Sequence, residues 1–188
     1  ILSAANIMMP LMAFGVHNTL VKFYNEYETE ERKAQFLTFV LVLPLLIVLP
    51  VSLIGYFGYH QIAELLSEKN PIVYDYVWQI PVIGLCMGYF EIFYAWVKVH
   101  LQSVYGSFVK EVLLRILISI FLFAVYFDFI SPQQFVFALM GIYFLLLLTM
   151  FFYAMKVKLP HFKLVFPDNY KAILIYCFFI ILSGSVAN

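Results

Sequence analysis

Charge is what this sequence has least of: 12% of its 188 residues are Asp, Glu, Lys or Arg, about half the share found in a soluble domain. With 64% hydrophobic and 20% aromatic residues, the chain could not cover a water-facing surface, so lipid must be its solvent. Aspartate is scarcer still. Asp75, Asp128 and Asp168 stand alone, which leaves no DxD pair to hold a divalent cation for a sugar nucleotide. No HExxH or Cys/His spacing suggests zinc, and no glycine-rich loop opens a helix to cradle phosphate. The net charge is zero and no basic cluster interleaves with aromatics, which argues against nucleic acid as a partner. Cys86 and Cys177 sit in different apolar runs and read as small buried hydrophobes, a disulfide or metal pair being the lesser reading. No charged stretch precedes Ile1, which already lies in an apolar run, so the start is not a signal peptide. LSGSVAN stops inside another apolar run, and the sequence reads as a piece cut at both ends. His100, at a membrane edge, is the one group an acyltransferase could use, but a lone His there is more often a polar tip among headgroups. No catalytic residue, cofactor or metal site is expected, and the chain is not read as an enzyme.

What the sequence does have is long apolar runs. A helix crossing about 30 Å of hydrocarbon needs about 20 mostly apolar residues. Five runs qualify, near Ile1–Tyr24, Ala34–Tyr59, Val73–Val97, Phe108–Phe127 and Gln134–Met155, and a sixth begins near Tyr170. Short polar joints connect them, as antiparallel neighbours require. Pro10, Pro44, Pro50 and Pro81 fall inside runs, where packed membrane helices tolerate kinks. The expected fold is therefore an all-α polytopic membrane protein. With alternate joints on the same side, every Lys and Arg except Lys69 falls on one side, which is then cytoplasmic. Ile1 starts outside. Lys163, in the cytoplasmic joint KVKLPHFKLVFP, lies near anionic headgroups if that joint is an interfacial segment; an ordinary orienting loop is the equal alternative. Outside, ELLSEKNP is read as one short turn, with Asn70 and Pro71 opening the next helix, and Asp75 and Gln79 as merely solvated.

Polar residues inside the runs fall into stripes. Ser3, Asn6, Pro10, Ala13 and His17 share one helical face of the first run, with Asn18 and Lys22 on a neighbouring face. Gly84, Gly88, Glu91, Ala95, Lys98 and Gln102 share a face of the third, whose GLCMG portion lets another helix approach closely. Ser103, Ser107, Glu111, Arg115 and Ser119 share a face of the fourth. The economical explanation is one hydrated cavity open to the cytoplasm. For Asn6 and His17, interhelical hydrogen bonding is an equal reading; for Lys22, snorkelling at the boundary is sufficient. Glu91 is harder to dismiss, because an intramembrane carboxylate is costly and by default functional. Glu91 and Arg115 both lie about 9–10 Å deep at 1.5 Å per residue, so they are expected to face each other, with Glu111 as the competing partner for Arg115.

The run FGVHNTLVKFYNEYETEERKAQF resembles the end of the second helix and the following loop of polysaccharide flippases of the MOP superfamily (Wzx-type), with Gly15, Lys22, Phe23 and Tyr24 in the matching positions. SVYGSFVKEVLLRIL is similar to the family's fourth-to-fifth helix joint, and LSGSVAN to the start of its seventh helix. The resemblance implies an incomplete MATE-like six-helix lobe: residues 1–169 would be the first lobe without its first helix, and 170–188 the truncated start of the next. It implies a bacterial inner-membrane transporter that carries an undecaprenyl-diphosphate-linked oligosaccharide by alternating access. A polysaccharide polymerase would be a partner. Lys22, Arg115, His17 and Asn18 would meet the substrate, with Lys22 standing where the family commonly has arginine, which keeps charge but loses bidentate geometry. Glu91 would couple transport to protons or sodium. The rivals are a MATE-like exporter of cationic drugs, whose cavity acidic residues would dominate, and a membrane-embedded glycan polymerase or acyltransferase.

Overall fold

The computed structural model describes the backbone of residues 1–68, 71–163 and 165–186, and all regular structure among them is helical. The α-helices are α1 (Leu2–Met12), α2 (Val16–Phe23), α3 (Glu30–Phe57), α4 (Tyr59–Ser67), α5 (Gln79–Val99), α6 (Ser103–Phe108), α7 (Leu114–Tyr126), α8 (Pro132–Val157) and α9 (Tyr170–Val186). Among the described residues α3, α5 and α8 are long and apolar enough to cross a membrane. Lys69 and Asn70 lie outside the described residues.

Cap chemistry fixes the ends of the two longest helices. The Thr29 hydroxyl accepts from the Arg32 amide at the start of α3, where Glu30 and Glu31 favour the positive end of the helix dipole. α8 opens with a full capping box. Ser131 Oγ accepts from the Gln134 amide at 3.2 Å, Gln134 Oε1 accepts from the Ser131 amide at 2.8 Å, and Pro132 occupies the first turn, where its missing N–H costs nothing.

The expected first span is broken. α1 stops at Met12, and Phe14 (φ 49°) and Gly15 (φ 64°) turn the chain through the left-handed region before α2 begins. A bulky residue at positive φ is strained by about 1–2 kcal/mol, so tertiary packing must hold the break. It does so closely: a Cβ on Gly15 would meet the Cys177 carbonyl oxygen of α9 at 2.8 Å and Ile180 Cβ at 2.9 Å. The freed polar groups are satisfied locally. Phe14 N–H donates to the Leu11 carbonyl and Val16 N–H to the Ala13 carbonyl, while the Thr19 hydroxyl donates to the Gly15 carbonyl at 3.0 Å.

α5 is the hub. α1 and α2 pack on it, as does α8; α7 lies on α8, and α9 lies against α1 and α2. The GLCMG face works as its spacing predicts. A Cβ on Gly84 would touch Ala5 and Met8, and one on Gly88 would come within 3.1 Å of the Ala13 backbone. The order of those contacts makes α1 and α5 parallel, as two spans of the same direction must be.

Three further expectations change. The outer joint is not one turn: Tyr59–Ser67 is helical, a 3-10 segment covers Pro71–Tyr76, and α5 begins only at Gln79. Gln79 is 0% exposed rather than solvated, with neither amide atom hydrogen-bonded among the described residues, whereas Asp75 is exposed. The fourth run starts at Ser103, five residues earlier than its hydropathy suggests, and contains a π-helical turn at Val109–Leu113.

The joint after α8 is a strap across the start of α3. Lys158 Nζ reaches Glu30 at 3.0 Å, Lys163 pairs with Glu31, and Arg32 pairs with Asp168 at 3.7 Å. Neutral contacts reinforce the strap. The Trp96 indole donates to the Lys158 carbonyl, Lys163 N–H donates to the Thr38 hydroxyl at 2.8 Å, and the Tyr27 hydroxyl donates to Asn169 at 2.5 Å. The Glu30 carboxylate holds the Lys158 ammonium's pKa above its usual value, and burial pushes the Tyr27 phenol up.

Candidate functional site

A cavity of about 320 Å³ opens between α1, α5, α7 and α8. α1 supplies Asn6 and Met9, α5 supplies Glu91 with Met87 and Phe90, and α8 supplies Tyr143 and Leu146. The π-turn and the start of α7 contribute Lys110, Glu111, Leu114 and Arg115. Members of the three predicted stripes (Asn6, Glu91, and Glu111 with Arg115) therefore do meet around one space.

Its charges pair differently from the expectation. Glu91 binds Lys110 at 2.5 Å, and Arg115 takes Glu111 at 3.0 Å, one turn earlier on its own helix. The reason is depth. Because the helix starts at Ser103, Lys110 stands about 10 Å from that end, close to the ~12 Å that separates Glu91 from the Val99 end of α5. Arg115 stands about 18 Å up, beyond the level of Glu91. The π-turn carries Lys110 and Glu111, and π-turns in α-helices are frequent at functional sites. Glu91 is only 13% exposed and Lys110 45%, whereas the Arg115 side chain is 78% exposed. Lys110 is the residue that sequence reasoning missed. Its signal was a charge next to Glu111 at the edge of an apolar run, which reads equally well as an orienting lysine until the helix start is known.

The remaining sequence candidates separate from the cavity lining. Lys22 lies over the Tyr176 ring of α9 at 4.0 Å and near Phe23 at 5.1 Å, a cation–π contact. Asn18 is exposed and outside the lining. His17, half-buried just after the helix break, is within electrostatic reach of Glu91, Lys110 and Lys98, and its Nδ1 is buried without a hydrogen-bond partner. Lys98 sits 4.0 Å over the Tyr94 ring, whose hydroxyl meets Ser107 Oγ at 2.5 Å. Gly106 lies against the same ring so closely that a Cβ there would overlap it. The α5–α6 hairpin is thus held tight just below the Glu91–Lys110 pair.

Chemically, the cavity offers two carboxylates, two cations, an amide and a phenol against an apolar wall. That set has the chemistry to suit a polar or charged ligand through hydrogen bonds and ion pairs. Among the described residues, no three His, Cys, Asp or Glu side chains converge as metal ligands would. Cys86 and Cys177 are free and buried. His100 is tied by Nδ1 to the Trp96 carbonyl at 2.7 Å and packed between the Trp96 and Tyr24 rings. No family model matches the chain, and no curated protein or solved structure matches it either.

Proposed function

We infer that this chain forms part of a membrane transporter whose substrate path runs through the cavity beside Glu91 and Lys110. The observation that carries this reading is the ion pair itself. A nearly buried carboxylate paired with a half-exposed ammonium inside an apolar helix bundle is expensive to keep there, and a bundle that needed only to pack would put apolar side chains in their place. The helix break at Phe14 and Gly15, which is followed by His17 within electrostatic reach of Glu91 and Lys110, belongs with the same reading, since irregular backbone at membrane depth is tolerated where it is buried in protein.

Within that class the substrate we favour is a lipid-linked oligosaccharide carried on a polyprenyl diphosphate, moved across the bacterial inner membrane by a MATE-like lobe paired with a second one. The charge balance of the cavity supports it over a cationic drug. Lys110 and Arg115 match Glu91 and Glu111, so acid does not dominate. Lys110 and Arg115 would meet the diphosphate, and the freed Glu91 would take up a proton or sodium. Lys22, Asn18 and His17 are then supporting residues at the cytoplasmic end. In a strain lacking the gene, lipid-linked oligosaccharide should accumulate on the cytoplasmic face, and the full-length chain should clear it. Lys110→Gln at normal protein level should not. No accumulation would reject the substrate, and full clearance by Lys110→Gln would reject the site.

A further inference from the structure

A second cavity, of about 240 Å³, lies between α3 and the strap, away from the first. It is a groove. Phe39, Val42, Leu43 and Leu46 form its floor, Val165 and Phe166 its wall, and Thr38 and Lys163 its polar end. Phe166 closes over Phe39 edge to face at 5.6 Å. From Thr38 to Leu46 the floor extends about 12 Å along the helix. The apolar part of α3 begins near Ala34, so the groove starts about 6 Å inside the membrane boundary and ends about 18 Å below that boundary, near the bilayer centre. That is the depth range of one acyl chain of one leaflet. Leu46, Val165 and Phe166 are at least half exposed along it, so hydrocarbon has free access.

The polar end carries one charged group, the Lys163 ammonium. On a neighbouring face of α3, in a separate recess, Lys33 and Lys158 both meet the carboxylate of Glu30, each at 3.0 Å, which leaves one positive charge over near the groove rather than in it. Lys163 is matched by Glu31, and that pair is solvent-exposed, a kind of contact worth little on its own. His161 adds an exposed imidazole to the same stretch. An exposed Lys–Glu pair at the mouth of an apolar groove is readily exchanged for another anion that brings its own hydrocarbon.

We propose that this groove binds one anionic glycerophospholipid of the cytoplasmic leaflet, its acyl chain along Thr38–Leu46 and its phosphate on Lys163 in place of Glu31. Glu31 then competes with the lipid, and Lys163 recognises it. The proposal rests on the orientation read from the basic residues and is independent of the transport reading.

The two roles give opposite signs. The test places a tryptophan in the groove (Leu46→Trp) in the full-length chain, reconstituted into vesicles of phosphatidylcholine or phosphatidylglycerol brominated in the acyl chains. The same chain without the substitution supplies the background of Trp78 and Trp96. Bromine quenches only a tryptophan it touches, so relative quenching reports which lipid occupies the groove. Phosphatidylglycerol is expected to be preferred about fivefold, the factor that the ~1 kcal/mol contributed by one lysine near an anionic surface corresponds to. Lys163→Gln should bring the preference to about one, and Glu31→Gln should raise it. Equal quenching by both lipids in the parent overturns the proposal. So does a Glu31→Gln that lowers the preference as Lys163→Gln does, because that is what a strap serving only to hold α3 would give.

Discussion

Breaking the Glu91–Lys110 pair from its two ends should cost different amounts. A fully buried pair loses about 3–5 kcal/mol when one partner is removed, because the other charge is stranded; an exposed pair loses about 0–1 kcal/mol. Glu91, 13% exposed, is close to the first case, and Lys110, 45% exposed, is between the two. Lys110→Gln leaves the nearly buried carboxylate uncompensated, so the expected loss is about 2–3 kcal/mol. Glu91→Gln leaves a half-exposed ammonium on a flexible stem that swings toward the helix end, so about 1 kcal/mol is expected. The double variant strands nothing and should return to within about 1 kcal/mol of the parent. For a chain of this size 1 kcal/mol moves Tm by about 2–4 °C. The single variants should therefore fall by roughly 4–12 °C for Lys110→Gln and 2–4 °C for Glu91→Gln, and the double variant by less than Lys110→Gln alone. Thermal unfolding of the purified chain in one detergent, followed by circular dichroism, measures all four corners of the cycle. Additive losses in the double variant would refute the pairing, and a costlier Glu91→Gln than Lys110→Gln would refute the burial argument. Arg115→Gln is the control: its exposed partner is one turn away on the same helix, so about 0.5 kcal/mol or less is expected, uncoupled from Glu91→Gln.

Gly15→Ala should be severe, since it adds a left-handed-region penalty of about 1 kcal/mol or more to a clash with the Cys177 carbonyl, and folded yield should drop where Gly141→Ala, with open space around it, leaves yield unchanged. Lys22→Gln should cost about 0.5–1 kcal/mol, the worth of an exposed cation–π contact, and should lose its effect in a Tyr176→Leu background; a coupling near zero in that cycle would place Lys22 elsewhere. Single cysteines placed in NEYETEERK or KVKLPHFKLVFP of a chain lacking Cys86 and Cys177 should resist membrane-impermeant thiol reagents in intact cells, while one in HQIAELLSEKNP should react. The reverse pattern would invert every depth assigned above.

Composition and periodicity were enough to establish that this is a helical chain suited to lipid, because apolar length and the scarcity of charge are sums over many residues. The close approach of α1 to α5 was also legible, since Gly84 and Gly88 leave space that only another backbone fills. Pair geometry was not. Whether Glu91 meets Lys110 or Arg115 depends on a helix starting at Ser103 and on a π-turn at Val109–Leu113, and each residue of register moves a side chain by about 100° and 1.5 Å. Hydropathy does not mark that start, because Ser103 to Ser107 read as a polar joint. The break in the first run was equally hidden: Phe14 and Gly15 sit in a continuous apolar stretch, and only the backbone of α9 arriving against Gly15 makes the strained turn worthwhile. The strap shows the same division. Its lysines were visible as positive charge, but which carboxylates they meet was decided by α8 and α3 ending side by side, and no local pattern of residues encodes that.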